Sequence, residues 1–284
     1  MEITAVLHTH GQPEVTRDTI ESVMTFMTDK VLLLIDDAGY DKFDIPALPV
    51  FSLRGFYHGF PRSPYRNICL GLLNAFQKWP DSDWYCYIEY DALVGSPTFR
   101  KDLEQAERDN VWLIGNDFRR KQEDLKKPIR LELIETMLKT KFDEIFYLLG
   151  AVLFYHKKFV RRLVHSNFLE QFLYMTNCFQ QGFFPGYVGP AAWDLIEHLM
   201  PTLAKHWGGE VQQFAKWSDK SFSWVGNNYR RYPIRWQPDL THIEEAIQAT
   251  IMHPLKTYDH PIRVFHREKR HRLMQERRKC QTSS

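Results

Sequence analysis

The chain has 284 residues and a mass of 33.8 kDa, 44% hydrophobic and 25% charged, which is enough apolar material for a sizeable core and excludes a disordered chain. Lys and Arg number 37 against 35 Asp and Glu, a formal net charge of +2, which excludes a protein that wraps a polyanion with its whole surface, so no nucleic-acid partner is expected. No apolar run approaches the roughly 18 residues of a membrane span, no signal-like segment opens the chain, and Cys69, Cys86, Cys178 and Cys280 form no CxxC pair. A soluble, cytoplasmic protein with reduced thiols is the expectation.

Strand-like and helix-like patterns then alternate. Ile3 to Thr9 reads as a buried strand, Val15 to Met27 as a helix, Val31 to Ile35 as a second strand ending at Asp36-Asp37, and Leu48 to Leu53 as a short third. A helix from Tyr65 to Trp79 and a strand from Trp84 to Tyr90 follow. This order predicts an α/β fold with a mostly parallel central sheet flanked by helices. Further on, Thr98 to Arg108 is helical, Val111 to Gly115 a short strand, and Phe118 to Lys127 a charged surface loop. Leu131 to Phe142 reads as a helix, Phe146 to Phe154 as a strand broken by Gly150, Lys158 to Tyr174 as one helix, and Ala191 to Trp207 as another, after a Gly- and Pro-containing loop. Residues 1–261 are expected to form one domain. The basic run Arg263 to Lys279 makes 262–284 a tail that either solvates a helix or meets an anionic membrane surface.

Ligands of open parallel sheets bind beyond the carboxyl ends of the strands. Three polar groups stand there: His8 and Thr9 with His10, Asp36-Asp37, and Glu89-Tyr90-Asp91. Carboxylates that close a buried strand need water or a cation, and Mg²⁺ or Mn²⁺ suits them. No GxGxxG, GxxxxGK[ST] or GxSxG segment is present, so a diphosphate would have to be neutralised by other means.

Across roughly residues 3 to 255 these segments resemble the glycosyltransferases of the GT-A fold, and most closely their family 2 type. Asp36-Asp37-Ala38-Gly39 resembles the family's acidic nucleoside-contacting segment, Tyr65-Arg66-Asn67 with Leu70-Gly71-Leu72 its Ala-Arg-Asn helix, and Glu89-Tyr90-Asp91 its DxD metal motif. Leu149-Gly150-Ala151 is similar to the acceptor-side strand, Glu197-His198 with Leu203 to the Glu-Asp-x-x-Leu segment that carries the base, and His253 to the late metal-binding His. The resemblance implies a metal-dependent transferase taking a nucleoside diphosphate sugar, a UDP-sugar above all, to a carbohydrate or lipid-linked acceptor, with inversion. It implies Asp91, Glu89 and His253 at the metal; His8, Thr9, Asp36, Asp37, Arg66 and Lys256 at the donor; and Glu197, Asp194 or His198 as base.

His198 stands where that family has its Asp. This departure keeps open a non-catalytic nucleotide-sugar or glycan-binding protein on the same fold. A nucleotidyltransferase ranks below both, because His8 to Pro13 offers one Gly and no Lys or Arg.

Overall fold

A computed structural model describes residues 1–9, 12–35, 50–52, 64–120, 129–180, 195–218, 223–225, 231–234 and 248–282. Strand β1 (Ile3–Thr9) is buried along its whole length, and its pleat sends Ile3, Ala5 and Leu7 into one core and Val6 into another. Helix α1 (Pro13–Phe26) starts on a proline, whose missing N–H costs nothing at a helix start. Strands β2 (Val31–Ile35) and β3 (Val50–Ser52), helix α2 (Pro64–Lys78) and strand β4 (Trp84–Glu89) complete the first half, close to the expected boundaries.

The second half departs further from expectation. After β5 (Leu93–Val94) and α3 (Phe99–Arg108), strand β6 runs from Val111 to Arg120, through residues read as the start of a loop. Helix α4 (Ile129–Leu138) precedes β7 (Phe146–His156), which Gly150 does not break. The single helix expected over Lys158 to Tyr174 is two, α5 (Lys157–His165) and α6 (Phe168–Gln180), because Asn167 takes a left-handed conformation with φ 56°. Helix α7 (Leu195–His206) and the strands β8 (Glu210–Gln213), β9 (Lys216–Ser218), β10 (Ser223–Val225) and β11 (Ile251–Met252) lead to the final helix, α8 (Pro261–Thr282).

Among the described residues the main sheet has seven strands in the order β3-β2-β1-β4-β7-β6-β8. β7 pairs antiparallel with both β4 and β6, and the other pairs are parallel, so the α/β expectation holds with one reversed strand. Helices α1 and α3 cover one face, and α2, α5, α6 and α7 the other. A Cβ at Gly71 of α2 would stand 2.3 Å from Val6 Cγ1 and 2.8 Å from Leu34 Cδ1, so the glycine lets that helix settle onto β1 and β2.

The basic run read as a tail lies in helix α8, whose first half is docked on the body. Arg263 and Arg270 are buried and ion-paired to the equally buried Asp18 of α1. From His271 to Cys280 every position but Leu273 is exposed. No described helix is long and apolar enough to cross a membrane. Cys69 and Cys86 are buried, Cys280 is exposed, and none of the three is in a disulfide.

Candidate functional site

Glu89 closes β4, and the chain turns through Tyr90 and Asp91 before pairing again as β5. Opposite it, β11 aligns Met252 with Leu93 and Ile251 with Val94. The next residue, His253, is thereby carried alongside Asp91. Its Nε2 lies 3.0 Å from Glu89 Oε2 and 3.2 Å from Asp91 Oδ1, and one ligand atom from each of the three residues falls within 4.8 Å of the others. Asp91 and His253 are buried and Glu89 is half-buried.

Electrostatics binds the three together. Burial pushes the His253 imidazole down, but the Asp91 and Glu89 carboxylates outweigh it and hold the group at about 10. Burial likewise pushes the Asp91 carboxyl up, and the His253 charge, its hydrogen bond and the Lys256 ammonium bring the net shift below the usual carboxylate range. Among the described residues, Asp91 Oδ1 lies 3.2 Å from His253 Nε2 but accepts no well-aligned hydrogen bond, and His253 Nδ1 has no hydrogen-bond partner. Two carboxylates and one imidazole, with a carboxylate oxygen left for a cation, fit a divalent metal; the nitrogen ligand suits Mn²⁺ better than Mg²⁺.

The proposed donor residues are placed differently. The His8 side chain faces α2: Asn67 Nδ2 donates to its Nε2 at 2.9 Å, which leaves Nδ1 to donate to the Tyr87 hydroxyl at 3.1 Å. His8 therefore ties β1, α2 and β4 together inside the core. Thr9 is also buried, 2.8 Å from Thr16 through their hydroxyls. Lys256 is exposed two residues after the cis His253-Pro254 bond and close enough to act on Asp91. Asp36, Asp37 and Asp194 lie outside the described residues, as does the side chain of Arg66, whose backbone belongs to the first turn of α2.

Helix α7 brings Glu197 over β7. Gly150 N–H donates to Glu197 Oε1 at 2.8 Å, and Gly150 lies two residues before Val152, the partner of Ile88, on a strand antiparallel to β4, hence on the carboxyl side of β4. Glu197 is buried, while His198 is half-buried with its ring 5.2 Å from that of Tyr147.

Two features escaped the sequence. On the carboxyl half of β6, Asp117 is buried at φ 55° and held by Arg119 at 2.6 and 2.8 Å, beside shifts in the β6–β7 register. Asp117 lies between the strand read to Gly115 and the charged run read as a loop from Phe118, and so belonged to neither. The second is the buried cluster of Asp18, Thr19 and Arg263 behind Asp91, in which Arg263 of α8 is 244 or more residues from its two partners on α1 and which carries no local signature.

No family model matches the chain, and no curated protein matches its sequence. Among solved structures it is similar to glucosyl-3-phosphoglycerate synthase from Mycobacterium tuberculosis in complex with Mg²⁺ and uridine diphosphate, at 14% identity over 56% of this chain and 57% of that one, with a TM-score of 0.34. A glycosyltransferase involved in the glycosylation of the major capsid of PBCV-1 matches at 10% identity over 95% and 99% of the two chains, with a TM-score of 0.46. A mannosyltransferase from Pyrobaculum calidifontis in complex with GDP-Man and Mn²⁺ matches at 11% identity over 57% and 46%, with a TM-score of 0.32. The first and third likenesses span about half the length of those chains.

Proposed function

We propose that the chain is a metal-dependent GT-A-type glycosyltransferase taking a sugar from a nucleoside diphosphate donor, a UDP-sugar first, to a carbohydrate or lipid-linked hydroxyl. The observation that carries the reading is the convergence of Glu89, Asp91 and His253 just beyond the carboxyl end of β4, where sheets of this kind bind ligands. A divalent cation held by these three supplies positive charge against the diphosphate that departs. Lys256, at the rim of the same site, adds a further positive charge toward that diphosphate.

In an inverting transfer the acceptor oxygen bonds to the anomeric carbon as the sugar–phosphate bond breaks, and the hydroxyl proton passes to a base. Glu197 takes that role in this reading, because α7 sets its carboxylate on the carboxyl side of β4, with Asp194 and His198 as the other candidates on the same stretch of chain. His8 and Thr9 shape the floor of the donor site from within the fold. Asp36, Asp37 and Arg66 complete the nucleotide side in this proposal.

A thermal-shift screen of UDP, GDP, CMP and their sugar conjugates, with and without Mn²⁺, tests the reading. A metal-dependent rise confined to one nucleotide is expected, since a ligand that binds only the folded chain stabilises it by RT ln(1 + [L]/Kd). No rise with any nucleotide would sink the donor site. A second reading, a nucleotide-sugar-binding protein without transfer chemistry, draws on the burial of Glu197 and its engagement with Gly150 N–H. It predicts donor binding with neither hydrolysis nor transfer.

The exposed end of α8, which carries Arg272 and Arg277, is proposed to touch anionic lipid. Charge reversal at these two positions is the suitable test. Deletion from residue 262 would also remove Arg263 and Arg270 from around Asp18.

A further inference from the structure

Arg263 sits at the start of α8, fully buried, and its guanidinium is engaged in four directions. Nε donates to the Leu255 carbonyl at 2.8 Å, Nη1 to Asp18 Oδ2 at 2.6 Å, and Nη2 to both Thr19 Oγ1 and the Ala92 carbonyl at 3.1 Å. The Thr19 hydroxyl in turn points its proton at the carbonyls of Tyr90 and Ala92, at 2.5 and 2.7 Å. Leu255 N–H closes the set by donating to the Asp91 carbonyl at 2.7 Å.

These contacts are not distributed as a helix anchor alone requires. Ion pairs to Asp18 would hold α8 against α1 without any contact to the loop after β4. Instead three of the carbonyls engaged belong to the two residues flanking Asp91 and to Leu255, two residues after His253. One guanidinium and one hydroxyl thus fix both chain segments that carry the buried metal ligands, and do so through backbone atoms whose position a side-chain ligand inherits. Asp18, itself buried, fixes the guanidinium in that orientation, with Arg270 on its other oxygen.

We infer that Thr19 and Arg263 are positioning residues for the Glu89–Asp91–His253 centre, and that the first half of α8 is therefore a working part of the site rather than an appendage. The inference rests on the metal reading given above. It extends that reading to residues that touch neither metal nor donor.

The test is Mn²⁺ binding to the full chain, followed by electron paramagnetic resonance of free and bound ion, well below the unfolding temperature. Thr19→Val removes the hydroxyl at constant shape, Thr19→Ser restores it, and Arg263→Lys keeps the charge but not the planar fork. Leu103→Ala, in the core under α3, serves as a destabilised control outside the set of hydrogen bonds just described. The inference expects Mn²⁺ affinity about 10–100-fold lower in Thr19→Val and Arg263→Lys, with broadened bound-ion spectra, and wild-type affinity in Thr19→Ser and Leu103→Ala. Faster hydrogen exchange at the Leu255 amide of metal-free Thr19→Val supports it independently, and serves where Arg263→Lys does not fold. Wild-type Mn²⁺ affinity in Thr19→Val overturns the positioning role and leaves the metal reading standing. An equal loss in Leu103→Ala overturns it too, by making the loss a general effect of instability. A wild-type chain that binds no Mn²⁺ overturns the metal reading, and the inference with it.

Discussion

Met252 lies opposite Leu93 in the short antiparallel pair of β11 and β5, and this register sets His253 beside Asp91, more than 160 residues away in sequence. A shift of one residue would turn His253 to the other side of the pair. Two two-residue strands thus decide whether the carboxylates after β4 have a nitrogen partner.

Asp91→Asn is expected to lower Mn²⁺ affinity by at least about tenfold, the lower end of what even an outer-shell partner costs. The amide keeps the volume but removes the charge that, with Glu89, holds the imidazole. Calorimetric Mn²⁺ titrations of the two proteins decide it. Equal affinity would remove Asp91 from the metal set.

With metal withheld by chelation, the same trio makes stability depend on pH. The His253 pKa is raised from 6.5 to about 10, so its contribution is complete below pH 6.5 and lost as pH rises through about 10. Urea midpoints of the chelated chain should therefore fall between pH 7 and 10 more steeply in the wild type than in His253→Gln. Parallel pH profiles would show that the imidazole carries no extra proton in the folded chain.

Asp18→Asn should destabilise the chain by about 3–5 kcal/mol, the usual cost of leaving a buried ionic partner uncompensated, because Arg263 and Arg270 would both remain inside. Urea denaturation at neutral pH gives the number. A loss below 1 kcal/mol would mean that water reaches the guanidinium groups.

Gly71→Ala tests how closely α2 approaches the sheet. A methyl group there meets Val6 and Leu34 well inside contact distance, so a loss of about 1–3 kcal/mol from overpacking is expected against the roughly 1 kcal/mol that alanine gains in an open helix. A more stable Gly71→Ala protein would show that α2 stands off from β1.

Glu197→Gln separates chemistry from folding. The glutamine carbonyl can still accept from Gly150 N–H, so stability should change by less than about 1 kcal/mol, while sugar transfer should fall by about 10²-fold or more. Turnover equal to wild type would move the base to Asp194 or His198.

The alternation of strands and helices is legible along the chain, because buried parallel strands are continuous apolar runs and their helices carry apolar faces, both local patterns. Ile3 to Thr9 and Val31 to Ile35 were legible to the residue. Glu89 and Asp91 were conspicuous too, as carboxylates at the end of an apolar run, whereas His253 was singled out only through its resemblance to a family motif. What the sequence did not contain was direction and distance. The reversal of β7, the length of β6 and the split between α5 and α6 depend on pairing and on one left-handed Asn167. Likewise, a run of arginines reads as solvated until a partner is known. Only the packing of α8 on α1, which sets Arg263 against Asp18 across 245 positions, turned part of that run into core. The physical reason is the same in each case: the free energy of a charge or a strand edge is set by what is brought to it, and nothing in its own neighbourhood of sequence encodes that.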